Sequence, residues 1–185
     1  MSSWGGGARY IAMTYLVVNL GYSLGLKNIP ILDIILLVSG FILRIFYGAL
    51  IVNSSASSWV YLTVLSASFY LSLGKRRNEI RKAKGNTRKV LSFYNYEFLD
   101  KFMYACLTLT IAFYALWSAD TRIMLRYGTN KLIWTVPVVM IIMMKYSYDI
   151  EMGSYDDPVE VLTKDKWLIL LSFFYIVILL GLIYL

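Results

Sequence analysis

Residues Gly74-Lys75-Arg76-Arg77-Asn78-Glu79-Ile80 stand between two long apolar runs. They open a stretch reaching to about Val90 that carries eight of the chain's eighteen lysines and arginines: Lys75, Arg76, Arg77, Arg81, Lys82, Lys84, Arg88 and Lys89. Apolar runs of roughly 17–25 residues are long enough to cross a bilayer as helices. A dense cationic connection between two such runs fixes the orientation of the chain, because short basic loops stay on the cytoplasmic side. It also places cations where an anionic substrate could dock.

The remaining composition agrees with lipid as the solvent. Of the 185 residues, 59% are hydrophobic and 16% charged, with a mean hydropathy of +0.62. Soluble domains are about 45–50% apolar and about 25% charged, so one small core could not bury this excess. The net charge of +7 could suggest nucleic acid, but the basic residues crowd beside apolar segments, where positive-inside bias explains them. The single cysteine, Cys106, lies in an apolar run and excludes an intrachain disulfide. Histidine is absent, which removes imidazole acid–base chemistry and imidazole metal ligands. A metal would need oxygen ligands, which favours Mg²⁺ or Mn²⁺. Met1–Gly7 is rich in Ser and Gly rather than basic, so it does not read as a cleaved signal peptide.

Six spanning helices are expected, at about 9–26, 31–52, 58–73, 98–118, 132–148 and 167–185. Brief connections such as Lys27-Asn28-Ile29-Pro30 force antiparallel neighbours, so the fold class is an all-α membrane protein, one helical domain over residues 1–185. With 74–97 cytoplasmic, the Lys27 turn and 149–166 are inside, and 53–58, 119–131 and both termini are outside. Thirteen of the eighteen basic residues then lie inside, together with every acidic residue except Asp120. Acidic residues hardly influence orientation, so their gathering there is either a matter of longer inner loops or the mark of a Mg²⁺–phosphate site. Gly21 with Gly25, and Ser68 with Ser72, form small-xxx-small pairs that let helices approach. Trp59, Trp117, Trp134 and Trp167 fit interfacial anchors.

Several side chains could carry chemistry, each with a plainer structural reading. Arg44 lies well inside the second apolar run, ~16 Å along a helix from Asp33. It should face a wet interior or snorkel outward. Asp33 follows Pro30 at a helix start, where a carboxylate offsets the macrodipole, and Lys27 lies one turn upstream. Lys75, Arg76, Arg77 and Glu79 fall at the inner end of the third helix. Lys75 and Glu79 could simply pair, four residues apart. Arg76 and Arg77 must point to different faces, and an arginine there offers a phosphate a bidentate fork. Asn95 resembles an N-cap for the fourth helix, and Tyr96 and Asp100 share a face of it. Asp156-Asp157-Pro158-Val159-Glu160 reads as a helix start with Asp157 as cap, or as a set of oxygen ligands.

The order of these features resembles the UbiA-type intramembrane prenyltransferase superfamily, and within it the decaprenyl-phosphate phosphoribosyltransferase branch. The pieces are Tyr22-Ser23-x-x-Leu26-Lys27 with Pro30-x-Leu32-Asp33, then Gly40-Phe41-x-Leu43-Arg44 and Gly48-Ala49. They continue through Leu73-Gly74-Lys75-Arg76-Arg77-x-Glu79, Tyr96-x-Phe98-Leu99-Asp100 and Asp157-Pro158-x-Glu160-Val161-Leu162. The resemblance implies a bundle of nine helices with a cytoplasm-facing cavity open to lipid. The six expected here would correspond to helices four to nine, the C-terminal two-thirds, with the N-terminus shortened relative to the family. It implies transfer of phosphoribose from phosphoribosyl diphosphate to a polyprenyl phosphate with Mg²⁺, in the plasma membrane, for cell-wall biosynthesis. Lys27, Arg44, Lys75, Arg76 and Arg77 become candidate phosphate contacts. Asp33, Glu79, Tyr96, Asp100, Asp157 and Glu160 become supporting residues. The family's first aspartate motif, Asn-Asp-x-x-Asp, does not occur, since the chain contains no Asn-Asp pair. That leaves three further expectations open: a partner chain supplying the missing helices, a non-catalytic protein that binds polyprenyl phosphate, and a UbiA-type aromatic prenyltransferase.

Overall fold

The computed structural model of the chain describes residues 4–52, 57–82, 89–152 and 158–184, and among them every regular element is helical. The long helices are α1 (Trp4–Leu24), α2 (Leu32–Ile51), α3 (Ser58–Lys82), α4 (Tyr96–Ser118), α6 (Val136–Glu151) and α8 (Lys166–Tyr184). Two short helices, α5 (Thr121–Tyr127) and α7 (Pro158–Lys164), and tight 3₁₀ turns at Leu26–Asn28, Lys89–Phe93 and Lys131–Thr135 join them.

Among the described residues, four stretches are long and apolar enough to cross a membrane: Leu32–Ile51, Tyr96–Ser118, Lys131–Glu151 and Lys166–Tyr184. The expectation of an all-α membrane protein holds, but α1 and α3 are not among those four. Their composition gives the reason. The α1 helix carries Thr14, Asn19 and several tyrosines, and α3 is threaded with Thr63, Ser66, Ser68 and Ser72 before its charged end. In α3 the hydroxyls bond back to the preceding turn, Thr63 to the Trp59 carbonyl at 2.7 Å and Ser68 to that of Val64 at 2.7 Å. Such back-bonding satisfies a polar group without a partner helix.

Helix α3 runs beyond the expected span of 58–73. The basic segment from Gly74 forms its last turns, to Lys82, with Lys75, Arg76, Arg77 and Glu79 at the inner end of the helix as expected. Apart from Gly74, residues 74–82 contain no strong helix breaker, and Lys, Arg and Glu are good helix formers.

The chain divides into two compact units, residues 1–106 and 107–185, with the boundary inside the α4 residues. In the first unit α2 packs against both α1 and α3. Its buried residues Ile34, Val38 and Ile42 recur every fourth position and form one stripe. Tyr70 and Leu73 of α3, Val90 and Leu91, and Leu99 and Met103 of α4 complete that core. The start of α2 is held in an uncommon geometry. Ile31, a β-branched residue, has φ +68°, a left-handed conformation that such residues rarely adopt. Its amide donates to the Tyr94 hydroxyl at 2.5 Å. Asn95 caps α4 as expected, its side-chain oxygen accepting from the Glu97 amide at 2.9 Å.

In the second unit α6 packs against α8. A hydroxyl cluster joins three elements: the Tyr114 hydroxyl lies 2.5 Å from Thr135 Oγ1 and 3.0 Å from the Tyr175 hydroxyl. Lys145 of α6 bridges Asp149 and Asp165, at 2.5 and 2.9 Å. The expected loop 119–131 contains α5, capped by Asp120, which accepts from the Arg122 amide at 2.8 Å. Helix α7 starts at Pro158 as expected, while its expected cap, Asp157, lies outside the described residues.

Gly74 fixes the approach of α3 to Met103, because a Cβ there would meet the Met103 sulfur at 3.3 Å. Gly74→Leu should lower stability by about 1–3 kcal/mol through overpacking. Gly74→Ala should be close to neutral, since the flexible thioether can yield. Thermal unfolding in detergent, followed by helical circular dichroism, distinguishes the two outcomes.

Candidate functional site

The charged end of α3 is built inward. Arg76 and Arg77 are among the largest fully buried side chains, with Asn78 buried beside them. Consecutive helical residues diverge by about 100°, so the two arginines leave α3 in different directions and meet different partners.

Arg76 faces α2. Its Nε donates to Asp33 Oδ2 at 2.6 Å, its Nη1 donates to both oxygens of Glu79 at 2.8 Å, and its Nη2 donates to the Tyr22 hydroxyl at 3.3 Å. Asp33 is completely buried. Its other oxygen, Oδ1, accepts from the Tyr94 hydroxyl at 2.5 Å. Glu79 therefore pairs with Arg76, three residues before it, and not with Lys75 as the spacing of four suggested. Burial alone would lower the Arg76 pKa, but Glu79 and Asp33 outweigh it and push the pKa up, so the guanidinium stays charged. Burial and the Asp33 carboxylate push the Tyr94 phenol up to about 12.

Arg77 faces α4. Its Nη1 donates to Asp100 Oδ1, and its guanidinium lies 5.6 Å from the Tyr96 ring centre and 5.9 Å from that of Tyr104. Cation–π contacts of this kind are worth about 0.5–2 kcal/mol, more when desolvated.

The structure thus gathers Asp33, Arg76 and Glu79 into one group and Arg77, Tyr96 and Asp100 into another. Lys75 is half-buried on α3 and Lys27 half-buried in the 3₁₀ turn after α1. Arg44 lies on an exposed face of α2. Its Nη2 donates to the Tyr15 hydroxyl at 2.6 Å, and its guanidinium stacks over the rings of Tyr15 and Phe41 at 5.4 and 5.7 Å. Two cavities of about 270 and 170 Å³ share Tyr15 and Arg44 in their linings. The smaller one also reaches Tyr22, the residue bonded to Arg76. Glu160 lies in the second unit and pairs with Lys164 on its own helix. Asp157 lies outside the described residues.

No protein-family model matches the chain. Curated relatives do. A decaprenyl-phosphate phosphoribosyltransferase of Corynebacterium glutamicum is 30% identical over 165 residues, covering 85% of this chain and 48% of the relative. Proteins of the same name from Mycolicibacterium smegmatis and Mycobacterium tuberculosis are 27% and 25% identical over 170 and 167 residues. Those alignments cover 84% and 88% of this chain, and 52% and 54% of the relatives. The chain is similar to decaprenyl-phosphate phosphoribosyltransferases. It spans about half the length of the curated relatives it matches, which fits a C-terminal portion.

Two residues central to this geometry escaped the sequence reading. Tyr94 meets Asp33 across 61 positions and Tyr15 meets Arg44 across 29, and no local pattern announces either contact. Tyr22 carried only a motif resemblance, with no sign that it would reach Arg76.

Among the described residues no three carboxylate or thiol side chains gather into a group that could hold a metal. Asp33 and Glu79 are both engaged with Arg76. The described residues therefore do not fit a cage for Mg²⁺ made of protein alone. Magnesium commonly binds through one or two carboxylates together with substrate phosphates.

Two outcomes follow from this geometry. Asp33→Asn should destabilise the chain by about 3–5 kcal/mol, toward the lower end because Glu79 still neutralises Arg76. Asp100→Asn should cost less, since that side chain is 35% exposed. Thermal unfolding of both variants tests the order. The Tyr94 phenol gains its stability in neutral form, with a folded pKa near 12 against an ordinary value of 10. Its contribution is fully present below pH 10 and lost as pH rises through about 12. Tyr94→Phe should remove that part of the alkaline loss, seen as a shallower fall of unfolding temperature between pH 9.5 and 12.

Proposed function

We propose that the chain acts in transfer of phosphoribose from phosphoribosyl diphosphate to a polyprenyl phosphate such as decaprenyl phosphate. The observation that carries this reading is similarity to proteins named for that activity over 84–88% of the chain. The four apolar stretches support a multi-pass membrane setting, where a polyprenyl acceptor resides. We place the protein in the plasma membrane with the α3 end and the 74–97 segment on the cytoplasmic side, where a soluble sugar diphosphate is available.

In this reading the lipid phosphate oxygen attacks C1 of the ribose, and the bond from C1 to the diphosphate oxygen breaks. Negative charge moves onto the departing diphosphate. In this reading the cations at the end of α3, Lys75, Arg76 and Arg77, are the candidates to bind and orient that group, and Lys27 and Arg44 are candidates for the acceptor phosphate. Asp33, Glu79 and Asp100 hold the two buried guanidiniums in place, and Tyr96 stacks on Arg77. Preorganised charges of this kind are worth most where water is excluded. Mg²⁺ accompanying the diphosphate would supply further neutralisation. The product would serve cell-wall synthesis.

A second reading, a non-catalytic protein that binds polyprenyl phosphate, draws on one observation: both buried arginines are already neutralised by carboxylates. A single assay separates the two. The chain in liposomes is given labelled phosphoribosyl diphosphate, a polyprenyl phosphate and Mg²⁺. Transfer of label to lipid is expected, with Lys75→Ala lowering it about 100-fold. Binding of lipid phosphate without any transfer of label would favour the second reading.

A further inference from the structure

We propose that Glu79 is a built-in stand-in for phosphate at Arg76, a carboxylate that occupies the guanidinium and must leave before a diphosphate can bind there. The proposal rests on the reading of the α3 end as the site for the donor's diphosphate.

The charges at Arg76 favour this over a ready-made anion site. One guanidinium is matched by two carboxylates, so the group carries a net charge of −1 and repels a polyanion. Of the five N–H groups of Arg76, one goes to Asp33, those of Nη1 face Glu79, and one of Nη2 reaches Tyr22. Nη1, with both its N–H groups turned to the more exposed of the two carboxylates, is the nitrogen an incoming phosphate oxygen could take over.

The two carboxylates differ in how firmly they are held. Asp33 comes from another helix, is completely buried, and has its second oxygen bonded to Tyr94. Glu79 is 26% exposed, and both its oxygens lean on one nitrogen of Arg76. It lies three residues along the same helix, so rotation about its own side-chain torsions releases Arg76 without moving backbone. Asp33 is the fixed partner and Glu79 the exchangeable one. A diphosphate oxygen taking its place restores a charge-assisted bond.

The test is calorimetric binding of inorganic diphosphate, without Mg²⁺, to the full chain in detergent. Glu79→Gln keeps the shape and removes the competing charge, so it should bind diphosphate about tenfold more tightly than the unaltered chain. Adding Arg76→Lys should abolish that gain. Should Glu79→Gln fail to fold, Glu79→Asp, which withdraws the carboxylate by one methylene, should show a smaller gain. Unaltered chain that binds diphosphate with no gain in any Glu79 variant overturns the stand-in and leaves the site reading intact. A gain that persists with Arg76→Lys also overturns it, since simple charge removal would then suffice. No binding by any variant overturns the site reading, and the stand-in with it.

Discussion

A guanidinium cannot be buried without partners, and this constraint organises the first unit of the chain. Arg76 is wholly enclosed, so α2 must bring Asp33 to it and α3 must fold Glu79 back over it. Asp33 in turn needs a donor for its second oxygen, which Tyr94 supplies, and the same hydroxyl accepts from the Ile31 amide. The uncommon backbone at Ile31 is thereby tied to the charge it helps to position. Arg77 repeats the logic toward α4, with Asp100 and two aromatic rings. Removing Asp33 or Asp100 takes a buried guanidinium's interhelical carboxylate, whereas Glu79 is a second, more exposed partner to Arg76.

Much of the helical frame was legible in the residues, because apolar runs of membrane length allow few alternatives. Asn95 and Pro158 marked helix starts correctly, since capping and proline geometry are local effects. The extent of α3 was legible only in part. Lys75 to Glu79 were expected at the inner end of the helix, but nothing in the sequence says that it continues to Lys82 or that two of its cations are buried and paired. The number of apolar spans was not legible, because the serines and threonines of α3 weaken its apolarity while bonding to their own helix.

The candidate site was legible in its membership and not in its wiring. Asp33, Arg76, Arg77, Glu79 and Asp100 could be chosen from their type and place, yet Lys75 was the natural partner for Glu79 by spacing alone. Helix direction decides otherwise, and so do contacts across 61 positions that only the folded chain creates. Arg44 shows the same limit. Its position inside an apolar helix called for a partner, but the partner proved to be a tyrosine hydroxyl and two aromatic faces, not a carboxylate. An arginine so held keeps its charge available beside a cavity, whereas Arg76 and Arg77 have theirs matched.

In the proposed function, the basic end of α3 receives the diphosphate of a sugar donor. The most direct measurement is an experimental structure of the chain in a lipid nanodisc with phosphoribosyl diphosphate. Diphosphate density against Lys75, Arg76 and Arg77 is the predicted result. Density that lies elsewhere, with the three cations still engaged as they are without donor, would contradict it.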